Sequence, residues 1–133
     1  MDKSYMDSII SLKFLRDNPD HMFVFGDNLI HKGKKGAAML RDEPNSYGFI
    51  TKKRPSYDSS AYYRPAEYKH VFAKELEKLE GDIKACPHFT FMISKLGFGL
   101  ANKYGIYQKV IREGLKVLEK YPNVKFLFDL DER

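Results

Sequence analysis

Four short apolar runs of strand length, spaced by glycine-bearing loops and helical-period segments, constrain this chain more than any other feature. His21–Phe25 is the first, Tyr47–Thr51 the second, Phe89–Ile93 the third, and Val124–Phe128, after Pro122, the closing one. Gly26 is expected to end the first strand. Between the second and third, Tyr68, Phe72, Leu76 and Leu79 recur at helical spacing over Ala66–Glu80, with Gly81 as a stop signal. A last helix places Tyr107, Val110, Ile111, Gly114, Leu118 and Tyr121 on one face. Shorter helices are expected over Ile9–Leu15, broken by Asp17, Asn18 and Pro19, and over Gly36–Arg41. Strands alternating with helices predict an α/β fold, a mixed or parallel sheet covered on both faces.

Residues 1–133 read as one domain, since 43% hydrophobic residues suffice for one core, and no repeat, linker or low-complexity tract interrupts them. Nine Tyr and ten Phe are far more than a disordered chain carries. The single cysteine, Cys86, excludes an internal disulfide, and the scattered His21, His31, His70 and His88 lack metal-ligand spacing. No metal and no cofactor are therefore expected. The first twenty residues are too polar for a secretory signal or a membrane span, so no membrane partner and a cytoplasmic location are expected. A net charge of +5 favours anionic partners, and it is concentrated in HKGKK (31–35) and KKR (52–54), while Asp129, Asp131 and Glu132 make the C-terminal end acidic.

Ligands of open α/β sheets bind outside the carboxyl ends of the strands, and two glycine loops fall there. The first runs from Gly26 to Met39 and leads into a helix near Gly36, where bare backbone amides suit a pyrophosphate. The second is KLGFGLAN, Lys95–Asn102, in which Gly97 and Gly99 let the backbone approach a ligand and Phe98 could stack on a base or sugar. Neither loop is a Walker A sequence, because Ala37 and Ala38 follow Gly36, and no GxGxxG run opens a helix. ATP hydrolysis and dinucleotide redox chemistry are disfavoured. A plain turn at positive φ is the alternative for either loop taken singly.

A strand ending in GDN (26–28), YGFITKKR (47–54) and a late strand running into LGFGL (96–100) together resemble the macrodomain superfamily. The pattern is similar to the subgroup that includes terminal ADP-ribose glycohydrolase and small bacterial and phage proteins, and it spans about Phe23 to Phe128. The resemblance implies a three-layer α/β/α domain with a mixed central sheet that binds ADP-ribose or a related nucleotide. It implies Asp27 at the adenine end and Asn28 at the distal ribose. Gly33, Gly36 and Ala37 would form one phosphate loop and Gly97, Phe98, Gly99 and Leu100 the other, with Gly26, Thr51 and Ser94 completing the pocket. Lys52 takes the place of the subgroup's nucleophilic lysine. Ala101, followed by Asn102, stands where that subgroup has its catalytic aspartate.

The functions that follow are a reader or sequestering protein for an ADP-ribose-like nucleotide, an ADP-ribosyl hydrolase acting on modified protein or nucleic acid, and a basic nucleic-acid-binding module. Assembly state is left open. Several residues carry a plainer reading beside the functional one. Lys52 can be one solvated lysine of a basic run, and Asp27 can cap its loop through an Asx turn. His31 has no carboxylate beside it in sequence and reads as a solvated loop histidine, and His88 as structural. Tyr57, Tyr62 and Tyr63, with Lys53, Arg54 and Arg64, either stack on nucleobases or cover the core.

Overall fold

The computed structural model describes residues 10–34 and 36–131, with only the backbone of Gly36 and Ala37. Four strands, β1 (His21–Asn28), β2 (Ser46–Lys52), β3 (Thr90–Ile93) and β4 (Val124–Phe126), form one sheet in the order β2-β1-β3-β4. All its ladders are parallel. The mixed sheet implied by the macrodomain resemblance is not found among these strands. An antiparallel neighbour can follow through a short hairpin, whereas each connection here is long enough to return the chain to the same end of the sheet.

Period-2 alternation explains the layers. Phe23 and Phe25 of β1 and Met92 of β3 face a cluster with Leu15, Leu40 and Leu127. Val24, Phe91 and Ile93 face the larger cluster on the other side. The smaller cluster is covered by α1 (Leu12–Asp17) and a 3-10 turn, Gly36–Leu40; the larger by α2 (Pro65–Ala85) and the segment from Tyr107 to Lys120. Ile9, the first residue of the expected N-terminal helix, lies outside the described residues. The helix itself starts at Leu12, where the Ser11 hydroxyl accepts a hydrogen bond from the Phe14 amide.

Several expected boundaries move, and the closing strand ends at Phe126 rather than Phe128. β1 runs on through Gly26 to Asn28, because β2 supplies partners as far as Lys52. Helix α2 passes through Gly81 to Ala85, since the glycine faces solvent and the next turn buries Ile83. Burying such a side chain stabilises by about 1.5–3 kcal/mol, more than the roughly 1 kcal/mol that a helical glycine costs. The last helix is not regular: it is π-helical over Tyr107–Ile111, α-helical over Arg112–Leu115 (α3) and 3-10 over Lys116–Lys120. Leu115, a residue not named on the expected face, is completely buried there, four residues after Ile111 and three before Leu118.

Two asparagines tie the amino ends of the strands together. The Asn45 side-chain Nδ2 lies within hydrogen-bonding distance of the carbonyls of Leu15, Asn18 and His21, and the main-chain carbonyl of Asn45 accepts from the Phe23 amide. Asn123 repeats this against Ile83, Cys86 and Phe89, and accepts from Phe91. Edge strand β2 is covered from α2, where Glu75 accepts from the Ile50 amide at 2.6 Å and the Tyr68 hydroxyl donates to the Ile50 carbonyl.

Gly114 sets the approach of α3 to α2, because a Cβ there would run into the Phe72 ring. The Gly114→Ala variant is expected to lose about 1–3 kcal/mol of stability through overpacking. Urea unfolding should show a lowered midpoint at unchanged slope; an unchanged midpoint would mean that the two helices are not in contact in solution.

Candidate functional site

Strand order reverses between β1 and β3, so the loops leaving these strands diverge and open a crevice at their carboxyl ends. A cavity of about 670 Å³ occupies that place. The end of β1 contributes Gly26, Asp27 and Asn28, the end of β2 contributes Thr51 and Lys52, and Ser94 and the loop from Lys95 to Ala101 form the opposite wall. Both glycine loops thus meet over one cleft.

The first loop is built around a buried carboxylate. Asp27 is 5% exposed, and its Oδ1 receives Arg41 Nη1 at 2.6 Å and the Asn28 amide at 2.8 Å. Its Oδ2 lies 2.8 Å from His31 Nδ1. Arg41 also donates from Nε to the Gly33 carbonyl at 2.9 Å and from Nη2 to the Lys32 carbonyl at 3.2 Å, and lies over the Phe25 ring. One guanidinium therefore holds both the strand end and the loop. Room for the carboxylate comes from β2: a Cβ on Gly48 would sit 2.5 Å from Asp27 Oδ2.

The Asx turn in this loop belongs to Asn28, whose Oδ1 accepts from the Ile30 amide at 3.2 Å while Nδ2 donates to the Lys32 carbonyl at 2.7 Å. His31 takes φ 55° and Gly33 φ 97°. The partner that sequence adjacency did not offer His31 is Asp27, one loop turn back.

In the second loop, Gly97 has φ 72°, and a side chain there would strike Ile111. Ser94 Oγ donates to the Val24 carbonyl at 2.8 Å, locking β3 to β1 where the strands part. Leu96 is buried beneath the loop and Leu100 is exposed. Phe98 is not part of the cleft wall. Its ring lies under the Lys95 ammonium at 3.7 Å and meets Tyr107 edge-on, so the expected stacking of Phe98 on a base or sugar is not prepared in this structure.

Lys52 leaves β2 half-buried, with Nζ 2.9 Å from the Ser56 carbonyl and 4.5 Å from the Tyr62 ring centre. Burial lowers its pKa below the ordinary lysine value, partly offset by Tyr57. Thr51 beside it is buried, its hydroxyl 3.4 Å from the Asp27 carbonyl.

The fold thus brings to one cleft Gly26, Asp27, Asn28, Gly33, Thr51, Lys52, Ser94, Gly97, Gly99 and Leu100, all residues read from the sequence. Gly36 and Ala37, of which only the backbone is described, open the 3-10 turn, and Lys35 of the basic run lies outside the described residues. Lys32 of the basic run and Lys95 of the second loop also line the cleft, as do Arg41 and Pro55, which sequence reasoning did not select. Arg41 carries little local signal, since its partners lie eight, nine and fourteen residues earlier and become neighbours only when the loop closes. Among the described residues no group of three or more His, Cys, Asp or Glu side chains could hold a metal ion. No helix among them is long and apolar enough to cross a membrane.

A family model described as a family of unknown function, DUF7831, matches residues 5–102. The chain belongs to the DUF7831 family. The DUF7831 match contains every residue of the cleft wall, from Gly26 to Ala101, and stops before the last helical segment and β4. No curated protein and no solved structure matches the chain.

Arg41→Ala is expected to destabilise the protein by about 3 kcal/mol, because it removes one member of a buried ion pair and leaves Asp27 with weaker partners. Arg41→Lys should recover less than half of this, lacking the planar fork. Chemical denaturation of the two variants tests the point, and equal stability of Arg41→Ala and wild type would remove the pair from its anchoring role. For Lys52, a lowered pKa means that more of the amine is neutral at a given pH. Its acylation, followed by mass spectrometry of a peptide containing it, should reach half-maximal rate at a lower pH than an ordinary lysine.

Proposed function

We propose that the cleft binds an ADP-ribose-like nucleotide and that the protein acts as a reader or sequestering protein for it. One observation carries the reading: two glycine loops from different strands converge on one cavity, with Lys32, Lys52 and Lys95 on its walls. A volume of about 670 Å³ is of the size that small-molecule and cofactor sites have. The exposed backbone of Gly99 and the lysines suit a pyrophosphate, and Pro55 and Tyr57 offer apolar surface to a base. The macrodomain-like reading of the three layers belongs to this proposal.

Binding is favoured over turnover by the state of the carboxylates. Among the described residues Asp27 is the only acidic one on the cleft wall, and both its oxygens are engaged by Arg41, His31 and the Asn28 amide. Ala101, buried on the opposite wall, supplies none. A second reading, hydrolysis of an ADP-ribosyl bond through Lys52, draws on the desolvated amine facing the cleft.

Calorimetric titration with ADP-ribose, against AMP and NAD at two salt concentrations, tests the proposal. Micromolar, salt-tolerant binding of ADP-ribose is expected, weakened about ten-fold in Lys52→Ala by loss of one charged hydrogen-bond donor. Absence of binding at millimolar ADP-ribose would overturn the proposal. Full turnover of ADP-ribosylated substrates by Lys52→Ala would exclude the lysine route to hydrolysis.

A further inference from the structure

Beside the cleft, two loops that are far apart in sequence bring aromatic rings and cations together. From the 52–65 loop come Arg54, Tyr57, Tyr62 and Arg64; from the turn after the second glycine loop come Lys103 and Tyr104. The Arg64 guanidinium lies 4.1 Å above the Tyr104 ring centre, and Tyr104 meets Tyr62 edge-on at 6.5 Å. Lys103 Nζ is within 5.6 Å of the Tyr62 ring centre and 5.9 Å of that of Tyr104. Lys52 approaches the other end of the cluster, so the strip runs from the cleft outward. Arg64 and Lys103 are exposed, and among the described residues neither forms an ion pair with a carboxylate. Nearby acids are already committed, Glu67 to Lys53 at 3.1 Å and Asp58 to the Ser60 amide and hydroxyl and to Arg54 at 4.0 Å, and Arg54 also donates to the Ser60 carbonyl and hydroxyl.

We propose that this strip binds single-stranded nucleic acid, with Arg64, held over the Tyr104 ring, as a stacking platform for a base and with Lys103 meeting the phosphates. A guanidinium plane resting on a ring keeps its outer face available, and unpaired bases stack on such planes without regard to sequence. Duplex nucleic acid keeps its base faces inside the helix and gains only the phosphate contacts. An acidic protein surface would use the cations but not the stacked plane, which is why nucleic acid is the better occupant. The strip adjoins the nucleotide cleft at Lys52 and Tyr57, while Arg64, Lys103 and Tyr104 lie outside the cleft lining.

Fluorescence anisotropy with a labelled twelve-nucleotide oligothymidine, its uridine counterpart and a blunt duplex of equal length provides the test. Single strands are expected to bind at least ten-fold more tightly than the duplex, and more weakly as salt rises. Arg64→Ala should weaken single-strand binding by about ten-fold, and Arg64→Lys, which keeps the charge but not the plane, should restore little of it. Lys103→Ala should lower the salt dependence by about one phosphate contact. Both Arg64 and Lys103 are exposed, so thermal unfolding should be unchanged in the variants, and so should calorimetric binding of ADP-ribose. That last measurement separates failure of this proposal from failure of the cleft reading. The inference is overturned if the oligonucleotides do not bind, if the duplex binds as well as the single strand, if Arg64→Ala leaves binding intact, or if polyglutamate competes as effectively as unlabelled oligothymidine.

Discussion

The Asp27–Arg41 pair is the interaction on which the candidate site depends. Burying a carboxylate is costly unless charge and hydrogen bonds compensate it, and here a guanidinium, an imidazole and a backbone amide all do so. The same guanidinium bonds two loop carbonyls, so desolvation of one charge is converted into the shape of one cleft wall. Gly48 belongs to this arrangement although it touches no ligand-facing surface, because any side chain there would displace the carboxylate.

The opposite wall is set by steric rather than electrostatic means. Gly97 reaches a backbone conformation closed to most residues and lies against Ile111, so the second loop turns tightly over the core. Ser94 holds the point of divergence closed at the sheet. A charge-anchored loop and a packed loop therefore face each other across the switch point of a parallel sheet, the place where the connections leave space for a ligand. Lys52, at the edge between the cleft and the aromatic strip, gives the two surfaces a shared boundary.

Much of this could be read in advance, but not evenly. The four strands were legible because apolar runs bounded by turn residues have few other uses. The convergence of Gly26–Gly33 and Lys95–Ala101 followed from the rule that such sheets open at their carboxyl ends. Boundaries at Gly26 and Gly81 were misplaced because glycine is a local signal, and pairing with β2 or burial of Ile83 outweighs it. The aromatic and basic character of the 52–65 loop was visible, whereas its meeting with Lys103 and Tyr104 was not.

By itself the sequence determined the α/β class, the strand and loop order and the positions of the glycines, since period and backbone freedom are properties of neighbouring residues. Only the tertiary structure decided that the sheet is parallel, that Asp27 serves Arg41 and His31, that Phe98 lies under Lys95 and that Asn45 and Asn123 clasp the strand ends. Those outcomes depend on which distant groups share a desolvated space. The energy of a buried charge or amide is set by the partners that surround it there, not by its neighbours along the chain.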